Sequence, residues 1–391
     1  MDKQGKKYQK MKKIKSLYLH VPHCLRRCNY CDFYHLSGPN PDWDSFESYL
    51  YASWPKHQEL LQQRGFAIGE LENLYLGGGT PALWGERGAK FLTNFILERG
   101  IVLSPTVEST LELNPGGRDL PAVVSAWEQF GVNRFSIGVQ SLRDEFLELL
   151  GRNHTARNSH QALEYFADRG LNYSVDLMLG LPYSAKFKRD IADELNSILR
   201  YSPPHISIYI LTTKPDYSHN GNLPDEEWIR QEYLLVSKLL VASGYQHYEV
   251  SNFAQAKHKS AHNLEYWQQQ TVAALGPSAS GLLLNSDRPS GATRYRWSGY
   301  PADPRLELEC LNVSQLQLER IYMNLRSEVG LNWGQEFNQE QQAIFVDDLL
   351  PKWSERGYLA KQPHAHRVVL GSLGYLMLDS LLEDLYPLLP E

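Results

Sequence analysis

Short apolar runs alternate with amphipathic segments through the first half of the chain, and this alternation limits the fold more than any other sequence feature. Apolar runs typical of strands cover residues 16–21, 73–76, 109–113, 134–139, 173–179 and 205–211. Segments typical of helices cover residues 42–64, 88–99, 121–130, 144–150, 156–169 and 188–200. Six strands that are apolar on both faces and separated by helices predict a parallel sheet covered by helices. We therefore expect an α/β fold, a closed or partly closed barrel whose loops after the strands share one face.

Three of the four cysteines follow the first predicted strand, on what should be a loop. Cys24, Cys28 and Cys31 have C-x3-C-x2-C spacing. Thiolates this close on one loop can converge on a soft metal centre, and cysteine is the usual ligand of iron–sulfur clusters. A cubane cluster needs four ligands, so three cysteines leave one iron open to another molecule. The spacing predicts a [4Fe-4S] cluster with one open position.

Zinc and a disulfide are the alternative explanations of the same cysteines. Zinc usually takes paired C-x2-C sets, although His23 or His35 could supply a fourth ligand. A disulfide would leave one of the three cysteines unpaired, and the first residues show no apolar segment typical of a secretory signal. We favour the cluster and expect the reducing cytoplasm as its location.

Length and charge add a domain prediction. A chain of 391 residues exceeds the usual size of a single core, so one large and one small domain are expected. We predict a basic tail at 1–15, a barrel at 16–306 and a helical domain at 307–391.

The tail has seven lysines and one aspartate, although the whole chain has a net charge of −6. It favours either a peripheral membrane or nucleic-acid contact or a solvated terminus. Since the remaining chain is acidic, nucleic acid is not expected as the main partner.

Polar residues occur in or after the predicted strands and should meet at one mouth. They are the glycines 77–79 and the residues Glu112, Asn114, Gln140, Arg152 and Asp176. Glycines allow close backbone approach or positive φ. A buried carboxylate needs a partner, and an α-amino group or the hydroxyls of a sugar are suitable. The alternative is that Glu112 or Asp176 caps a helix or pairs with Arg134 or Arg152.

With these segments in view, the chain resembles the oxygen-independent coproporphyrinogen III oxidase-like branch of the radical S-adenosylmethionine (SAM) proteins. Within that branch it is most similar to the radical SAM haem chaperone (HemW-type) family. The matching stretches are LYLHVPHCLRRCNYCDFY, LGGGTP, LELNP, GVNRFSIGVQSL, LGRNH, VDLMLGLP, HISIYIL, HYEVSNFA and HNLEYW, with a weaker match in YMNLRSEVGLN. The resemblance implies a partial (β/α)6 TIM-like radical SAM barrel with a small C-terminal helical, winged-helix-like domain.

The resemblance also implies cofactors and their residues. The cofactors would be a [4Fe-4S] cluster, SAM and haem. Cys24, Cys28 and Cys31 would hold the cluster, with Tyr18 and Tyr30 beside it and SAM. The remaining SAM contacts would come from Gly78, Gly79, Thr80, Glu112, Gln140, Arg152 and Asp176.

Three features favour the chaperone over the oxidase. The oxidases have a further cysteine where Phe33 stands, and they have a longer N-terminal extension. The segment 262–267, HNLEYW, matches the H-N-x-x-Y-W motif of the chaperones. Imidazole is a common axial haem ligand, so His262 would bind the iron while Tyr266 and Trp267 offer flat apolar faces. The alternative is that His262 is a packed or hydrogen-bonded histidine.

The sequence departs from the family at two places and changes pattern near its end. Ser280 stands where the chaperones commonly have histidine, and residues 183–185 replace a Gly-Gln-Thr-like turn. Helices are predicted at 314–329, 338–356 and 373–385, with a short strand pair near Tyr358 and Val368. Cys310 is most simply a buried small apolar residue.

The predicted function is a cytoplasmic haem chaperone that passes haem to a recipient haemoprotein and receives electrons from a separate donor. It is expected to lack coproporphyrinogen oxidase activity, and SAM binding would serve regulation more than turnover. The rival is an enzyme, either a coproporphyrinogen III oxidase or another radical SAM tetrapyrrole-modifying enzyme. A third alternative is a scaffold whose cluster is structural.

Overall fold

The fold is organised around one large sheet. The computed structural model describes residues 11–116, 119–285, 291–360 and 366–389. Its nine-stranded sheet has the following strands in chain order: β1 (Lys12–Val21), β2 (Phe66–Gly78), β3 (Val102–Leu113), β4 (Arg134–Gln140), β5 (Tyr173–Leu179), β6 (His205–Ile210), β7 (Gln246–Glu249), β8 (Asn252–Ala254) and β9 (Ala273–Leu275). The order across the sheet is β9-β1-β2-β3-β4-β5-β6-β8-β7. The seven strands from β9 to β6 are parallel, and β8 and β7 continue the sheet antiparallel.

Helices follow the parallel strands, as the alternation predicts. They are α1 (Trp43–Gln63), α2 (Gly85–Glu98), α3 (Leu120–Phe130), α4 (Asp144–Leu149), α5 (Ala156–Asp168), α6 (Ile191–Leu199), α7 (Glu226–Ala242) and α8 (Ala261–Trp267). Short 3-10 turns lie at Pro81–Trp84 and Asn220–Asn222. The prediction of an α/β fold built on a parallel sheet is confirmed.

Local sequence explains why these helices begin and pack where they do. The Asp42 carboxylate accepts a hydrogen bond from the Ser45 amide at 3.0 Å and so caps α1. The buried side chains Phe46, Leu50 and Trp54 recur every four residues and place one face of α1 against the sheet. The apolar core is therefore formed between the helices and the sheet.

The first strand begins at Lys12, earlier than the predicted start at residue 16. Part of the predicted tail is therefore strand, and Lys15 forms an ion pair with Glu72 at 2.6 Å. The tail lysines Lys3, Lys6, Lys7 and Lys10 lie outside the described residues. The helix predicted from residue 188 begins later, at Ile191, because the carboxylate of Asp190 accepts the amide hydrogen bonds that cap it.

A second sheet precedes the C-terminal helices, and the sequence analysis does not predict it. Its antiparallel strands are β10 (Ser280–Leu284), β11 (Ala292–Ser298) and β12 (Arg305–Leu311). The predicted domain boundary at residue 306 falls inside β12. Ser280 begins β10, where its hydroxyl donates to the Tyr295 carbonyl oxygen at 3.0 Å. Cys310 is exposed, so the prediction that it is buried is wrong.

The C-terminal region is helical, as predicted, but in shorter pieces. Its helices are α9 (Val313–Leu325), α10 (Trp333–Glu336), α11 (Gln339–Ile344), α12 (Leu350–Glu355), α13 (Ser372–Leu376) and α14 (Leu378–Leu385). A π-helical turn, Phe345–Leu349, joins α11 to α12, and a 3-10 turn, Tyr386–Leu388, ends the segment. The two-residue strands Leu331–Asn332 and Arg367–Val368 pair. An antiparallel β-bridge between Leu359 and Leu370 confirms the short pairing predicted near Tyr358 and Val368. Leu19 of β1 and Leu381 of α14 belong to the same apolar cluster, so the core is continuous.

Candidate functional site

A cavity of about 650 Å³ opens at the carboxyl ends of the parallel strands. We call it the mouth cavity. Eleven of the predicted site residues line it: Cys24, Cys28, Tyr30, Cys31, Gly78, Gly79, Thr80, Glu112, Gln140, Arg152 and Asp176. They come from the ends of four strands, from the cysteine loop and from the connection between α4 and α5, so the fold brings together residues that are far apart in sequence.

Main-chain hydrogen bonds hold the cysteine loop over the sheet. The amide of Gly38 donates to the Cys24 carbonyl oxygen at 3.0 Å, and the Asn29 amide donates to the Leu150 carbonyl oxygen at the same distance. The Asn29 side chain donates to Leu149 as well. A two-residue parallel pairing of His23–Cys24 with Leu36–Ser37 closes the loop at its base. The three thiols are thus presented on a fixed loop.

Hydrogen-bond donors lie beside the thiols. Thr80 Oγ1 lies 3.7 Å from Cys24 Sγ, and Arg152 Nη1 lies 3.3 Å from Cys28 Sγ. His35 Nδ1 lies 3.9 Å from Cys31 Sγ and 2.7 Å from the Phe33 carbonyl oxygen. Burial raises the pKa of Cys24 to about 11, so the thiol is protonated at neutral pH and metal loading must release its proton.

The donor set fits a [4Fe-4S] cluster better than a single ion. In the described parts of the chain, no three His, Cys, Asp or Glu side chains are grouped so as to hold one metal ion. A cubane is larger, and each of its cysteines binds a different iron. His23, the other candidate zinc ligand, is buried with its ring 4.7 Å from that of Trp43. Three thiols that share the wall of an open cavity are the arrangement that a cluster with one free iron requires.

Arg152 connects the cysteine loop to the sheet. Its guanidinium donates to Cys28 Sγ, to the Tyr30 hydroxyl at 3.4 Å and to the Gly138 carbonyl oxygen at 2.8 Å. It also donates to the side-chain oxygen of Asn114. A planar guanidinium with several fixed donors can hold all these groups at once. Removing it would release the loop from β4 and from the end of β3.

The glycine run is needed for close approach, as predicted. Gly78 has φ +106°, and a Cβ there would lie 2.5 Å from the His20 ring. A Cβ on Gly79 would lie 2.6 Å from the His23 carbonyl oxygen. No side chain fits at either position, so the turn borders the mouth cavity as bare backbone. Its amides already have acceptors: the Gly79 amide donates to the Val21 carbonyl oxygen and the Thr80 amide to the His23 carbonyl oxygen, both at 2.8 Å.

Glu112 and Asp176 are buried carboxylates of the cavity wall. Glu112 Oε1 accepts from the Tyr75 hydroxyl at 2.8 Å, and Oε2 accepts from the Gly78 amide at 3.0 Å. Asp176 Oδ2 accepts from the Ser136 hydroxyl at 3.2 Å. Burial raises the pKa of Glu112 to about 7 and that of Asp176 to about 6, because loss of hydration outweighs these hydrogen bonds.

The alternative explanation of these carboxylates is not what the structure shows. Within the described ranges, neither Glu112 nor Asp176 forms a salt bridge. Arg134 donates instead to the His258 carbonyl oxygen. The Arg134 and Arg152 guanidinium groups lower the pKa of Asp176 through space but do not pair with it, so both carboxylates keep capacity for a positively charged or hydroxyl-bearing ligand.

Gln140 ends β4 in an unusual conformation. Its φ is +69°, and the pairing of β4 with β5 shifts register before it. Left-handed backbone at a residue other than glycine is uncommon and collects at functional sites. The bulge places the Gln140 side chain at the cavity wall.

Three of the other predicted residues, Tyr18, His262 and Tyr266, form an aromatic cluster with Tyr75 outside the lining of the mouth cavity. We call Tyr18, Tyr75, His262 and Tyr266 the floor. The His262 ring is stacked on Tyr75, with centroids 4.3 Å apart and planes at 21°, and lies 5.9 Å from Tyr18 and 5.0 Å from Tyr266. Burial lowers the pKa of His262 to about 3, so its imidazole is neutral, and Nδ1 is buried without a hydrogen-bond partner. Trp267 lies outside this stack, with the Arg326 guanidinium 5.6 Å from its ring centroid.

The structure therefore separates the predicted site residues into two groups. Tyr18 is not at the cavity wall, and its hydroxyl is 3.0 Å from His20 Nδ1. Tyr75 joins the two groups, and the sequence analysis missed it. A signal was available, because Tyr75 and Gly77 share a strand face with period two. Ser136, also missed at the cavity wall, stands directly opposite Glu112 in the strand register.

Comparisons with known proteins show the family and relatives of the chain. Residues 18–194 match the radical SAM superfamily. The chain is 33% identical over 279 residues to the haem chaperone HemW of Buchnera aphidicola, covering 70% of this chain and 72% of the relative. It is 34% identical over 299 residues to HemW of Haemophilus influenzae, covering 73% and 74%. Coproporphyrinogen III oxidase (HemN) of Escherichia coli, a radical SAM enzyme, has a similar structure, with a TM-score of 0.72 at 18% identity over 96% of this chain and 90% of that one. At that identity the likeness concerns the fold alone.

Proposed function

Since this chain belongs to the radical SAM superfamily and, within it, to the family of the haem chaperone HemW, we propose that it is a haem chaperone. Its cofactors are a [4Fe-4S] cluster and SAM, and its cargo is haem, which it passes to haem proteins. The observation that carries the proposal is the buried, unpartnered imidazole nitrogen of His262 within the HNLEYW segment. A neutral imidazole is a common axial ligand of haem iron.

Cys24, Cys28 and Cys31 would hold three irons of the cluster. The Arg152 guanidinium and the Thr80 hydroxyl would then donate hydrogen bonds to the bound sulfurs, and such hydrogen bonds tune a cluster's potential. When bound, a cluster with one open iron supplies an electron for the reductive cleavage of SAM.

The wall of the mouth cavity would hold SAM. The turn of Gly78, Gly79 and Thr80 lines the cavity without a side chain at either glycine, so the amino-acid end of the cofactor would approach it closely. Ionised Glu112 would accept from its ammonium group, and Asp176 with Gln140 would accept from or donate to the ribose hydroxyls. Tyr30 and Arg152 would close the side next to the cluster.

The segment around α8 would hold haem. His262 would supply a ring nitrogen, while Tyr266 and Trp267 would pack on the macrocycle. The His262 side chain is buried and its Nδ1 has no exposed surface, so this segment has to shift when haem binds.

A haem titration tests the proposal. Reconstituted protein is titrated anaerobically with ferric haem while the Soret band is recorded, for the wild type, His262→Ala and His160→Ala. His160 lies in α5, with Nδ1 3.0 Å from the Tyr201 hydroxyl, and serves as a matched control. We expect saturable binding for the wild type and the control, and at least ten-fold weaker binding for His262→Ala. Equal binding by all three proteins would contradict the role of His262, and no saturable binding would contradict the chaperone.

Product analysis separates the chaperone from the oxidase. Coproporphyrinogen III is incubated anaerobically with the protein, SAM and a reductant, and we expect no protoporphyrinogen. Multiple turnovers would replace the proposal by the enzyme. A cluster that is only structural predicts instead that cysteine-to-alanine variants fold and accept haem normally.

The finer statements about partners and location belong to the same proposal. We propose a cytoplasmic protein with a separate electron donor and one recipient haemoprotein. No helix in residues 11–116, 119–285, 291–360 or 366–389 has the length and apolarity of a membrane span. Peripheral membrane contact through residues 1–15 remains a prediction. Sedimentation with anionic vesicles, for the full chain and for a variant without residues 1–11, which precede β1, would test it.

A further inference from the structure

Tyr75 contacts one proposed ligand-binding residue in each region: His262 of the floor and Glu112 of the mouth cavity. One face of its ring stacks on His262 at 4.3 Å, and its hydroxyl donates to Glu112 Oε1 at 2.8 Å. It lies on β2, three residues before Gly78, and does not line the mouth cavity. One side chain therefore links the proposed haem ligand to a proposed SAM ligand.

The contact between Tyr75 and Glu112 leaves little room for adjustment. The carboxylate is held from two sides, by the Tyr75 hydroxyl and by the Gly78 amide. A Cβ on Gly77 would lie 2.9 Å from Glu112 Oε1 and 2.9 Å from Tyr75 Cε1. In such close packing, a shift of the Tyr75 ring must lengthen its hydrogen bond or displace the carboxylate.

Haem ligation requires such a shift. The His262 ring packs against Tyr75 and Tyr266 and lies near Tyr18, so its surroundings are filled by aromatic rings. His262 Nδ1 has no exposed surface, so a haem iron cannot reach it unless α8 moves away from these rings. The helix that carries His262 is only seven residues long. Three hydrogen bonds join it to distant residues: the Ala261 and His262 amides donate to Glu108 at 2.9 and 3.4 Å, and Asn73 donates to Glu265 at 3.3 Å. It can move without unfolding the sheet.

We infer that Tyr75 is a positioning residue that couples haem binding at His262 to SAM binding at Glu112, so that each ligand weakens the other. This inference rests on the proposed function. While His262 is stacked, Tyr75 holds Glu112 beside the Gly78 amide, ready for the ammonium group of SAM. When His262 binds haem, Tyr75 loses its stacking partner and Glu112 loses its fixed donor. Because coupling between binding sites is reciprocal, SAM binding favours release of the haem.

The test measures both affinities in one reconstituted protein. Equilibrium dialysis with labelled SAM gives its affinity with and without one equivalent of ferric haem, and Soret titrations give the haem affinity with and without saturating SAM. The wild type is compared with Tyr75→Phe, which keeps the stacked ring and removes the hydroxyl. Tyr173→Phe is the matched control, because this buried strand tyrosine donates to the Tyr201 carbonyl oxygen away from the cavity.

We expect haem to weaken SAM binding at least five-fold in the wild type and in Tyr173→Phe, with an equal effect of SAM on haem. In Tyr75→Phe, the affinity for each ligand should change less than two-fold when the other ligand is present. If haem and SAM both bind the wild type independently, the inference fails and the proposed function stands. If Tyr75→Phe keeps the wild-type ratio, Tyr75 is not the link. If the wild type binds no haem, the proposed function fails, and the inference with it.

Discussion

The mouth cavity and the floor are built in opposite ways from neighbouring parts of the same strands. Polar groups of the mouth cavity already have fixed partners and face an open space, as Glu112 and Arg152 show. The floor is closed, with His262 packed among aromatic rings and no space beside its unpartnered nitrogen. One region is preorganised for a ligand, whereas the other must rearrange. We therefore expect ligand binding in the mouth cavity to depend on the charge and backbone conformation of its residues. The floor should instead change its structure when its ligand binds.

The largest expected effect is loss of the cluster when one cysteine of the mouth cavity is changed. Cys28→Ala removes a thiol that also accepts from Arg152, and two cysteines cannot hold a cubane that has three protein ligands. Iron and sulfide analysis after anaerobic reconstitution should show a full complement in the wild type and little in the variant. Cys310→Ala is the control, because this exposed cysteine lies on β12. Normal iron content in Cys28→Ala would show that the loop does not hold the cluster.

The second largest effect is the loss of stability expected when Gly78 is changed to alanine. We compare it with Gly131, which has a similar backbone conformation. Gly78 has φ +106° and Gly131 has φ +114°, so alanine strains the backbone at both, by about 1–2 kcal/mol. Nothing lies within 4 Å of a Cβ on Gly131, whereas one on Gly78 meets His20. The His20 ring cannot move aside easily, since its nitrogens contact the Tyr18 hydroxyl and the Tyr34 carbonyl oxygen.

Urea unfolding should therefore show a lower free energy of unfolding for Gly78→Ala than for Gly131→Ala, by about 1–3 kcal/mol. Only Gly78→Ala should also lose SAM binding. Equal losses of stability would show that His20 yields and that this part of the mouth cavity is less fixed than its contacts indicate.

These two regions also mark what the sequence predicts and what it does not. The strand–helix alternation predicts the parallel sheet, because each strand is apolar on both faces. The outer ends of its strands are not predicted where charged residues alternate along them, as Lys13 and Lys15 do in β1. β12 was missed for the same reason, since Arg305 and Glu307 are exposed and resemble a loop in composition.

Motifs at strand ends predict the mouth cavity because parallel strands bring their carboxyl ends to one edge. No such rule places α8. His262 and Tyr75 are far apart in the chain, and their stacking depends on how α8 packs against β2. A resemblance could name His262 as a ligand, but only the packed structure shows that its ring is covered and that Tyr75 connects it to Glu112.

A moderate effect concerns the pH dependence of SAM binding. Burial raises the pKa of Glu112 to about 7, and only the ionised form attracts an ammonium group. SAM affinity should therefore rise about ten-fold from pH 6 to pH 8, the change expected for one group titrating near pH 7. The same shift has the opposite effect on folding. The folded protein holds the proton more tightly than the unfolded chain, so the contribution of Glu112 to stability falls as the pH rises from about 4.5 to 7.

Calorimetric titration of SAM at several pH values would measure this slope. Glu112→Gln should bind more weakly, with a slope close to zero between pH 7 and 8. Asp176→Asn is the comparison. Its charge helps to raise the pKa of Glu112, so its removal should move the slope to lower pH without abolishing it. A wild-type affinity that is flat from pH 6 to 8 would remove Glu112 from the SAM site.

The smallest effect is expected at the outer rim of the mouth cavity. Phe33 stands where the oxidases have their additional cysteine, and its side chain is 70% exposed. Because truncating an exposed side chain removes few contacts, Phe33→Ala should change the free energy of unfolding by less than about 0.5 kcal/mol. Truncation of Phe46, which is fully buried between α1 and the sheet, should cost about 3–5 kcal/mol under the same conditions. Iron content should be unchanged in Phe33→Ala, since the three thiols keep their positions. A loss of stability above 1 kcal/mol at Phe33 would mean that the rim is packed and that the mouth cavity is less open than the structure shows.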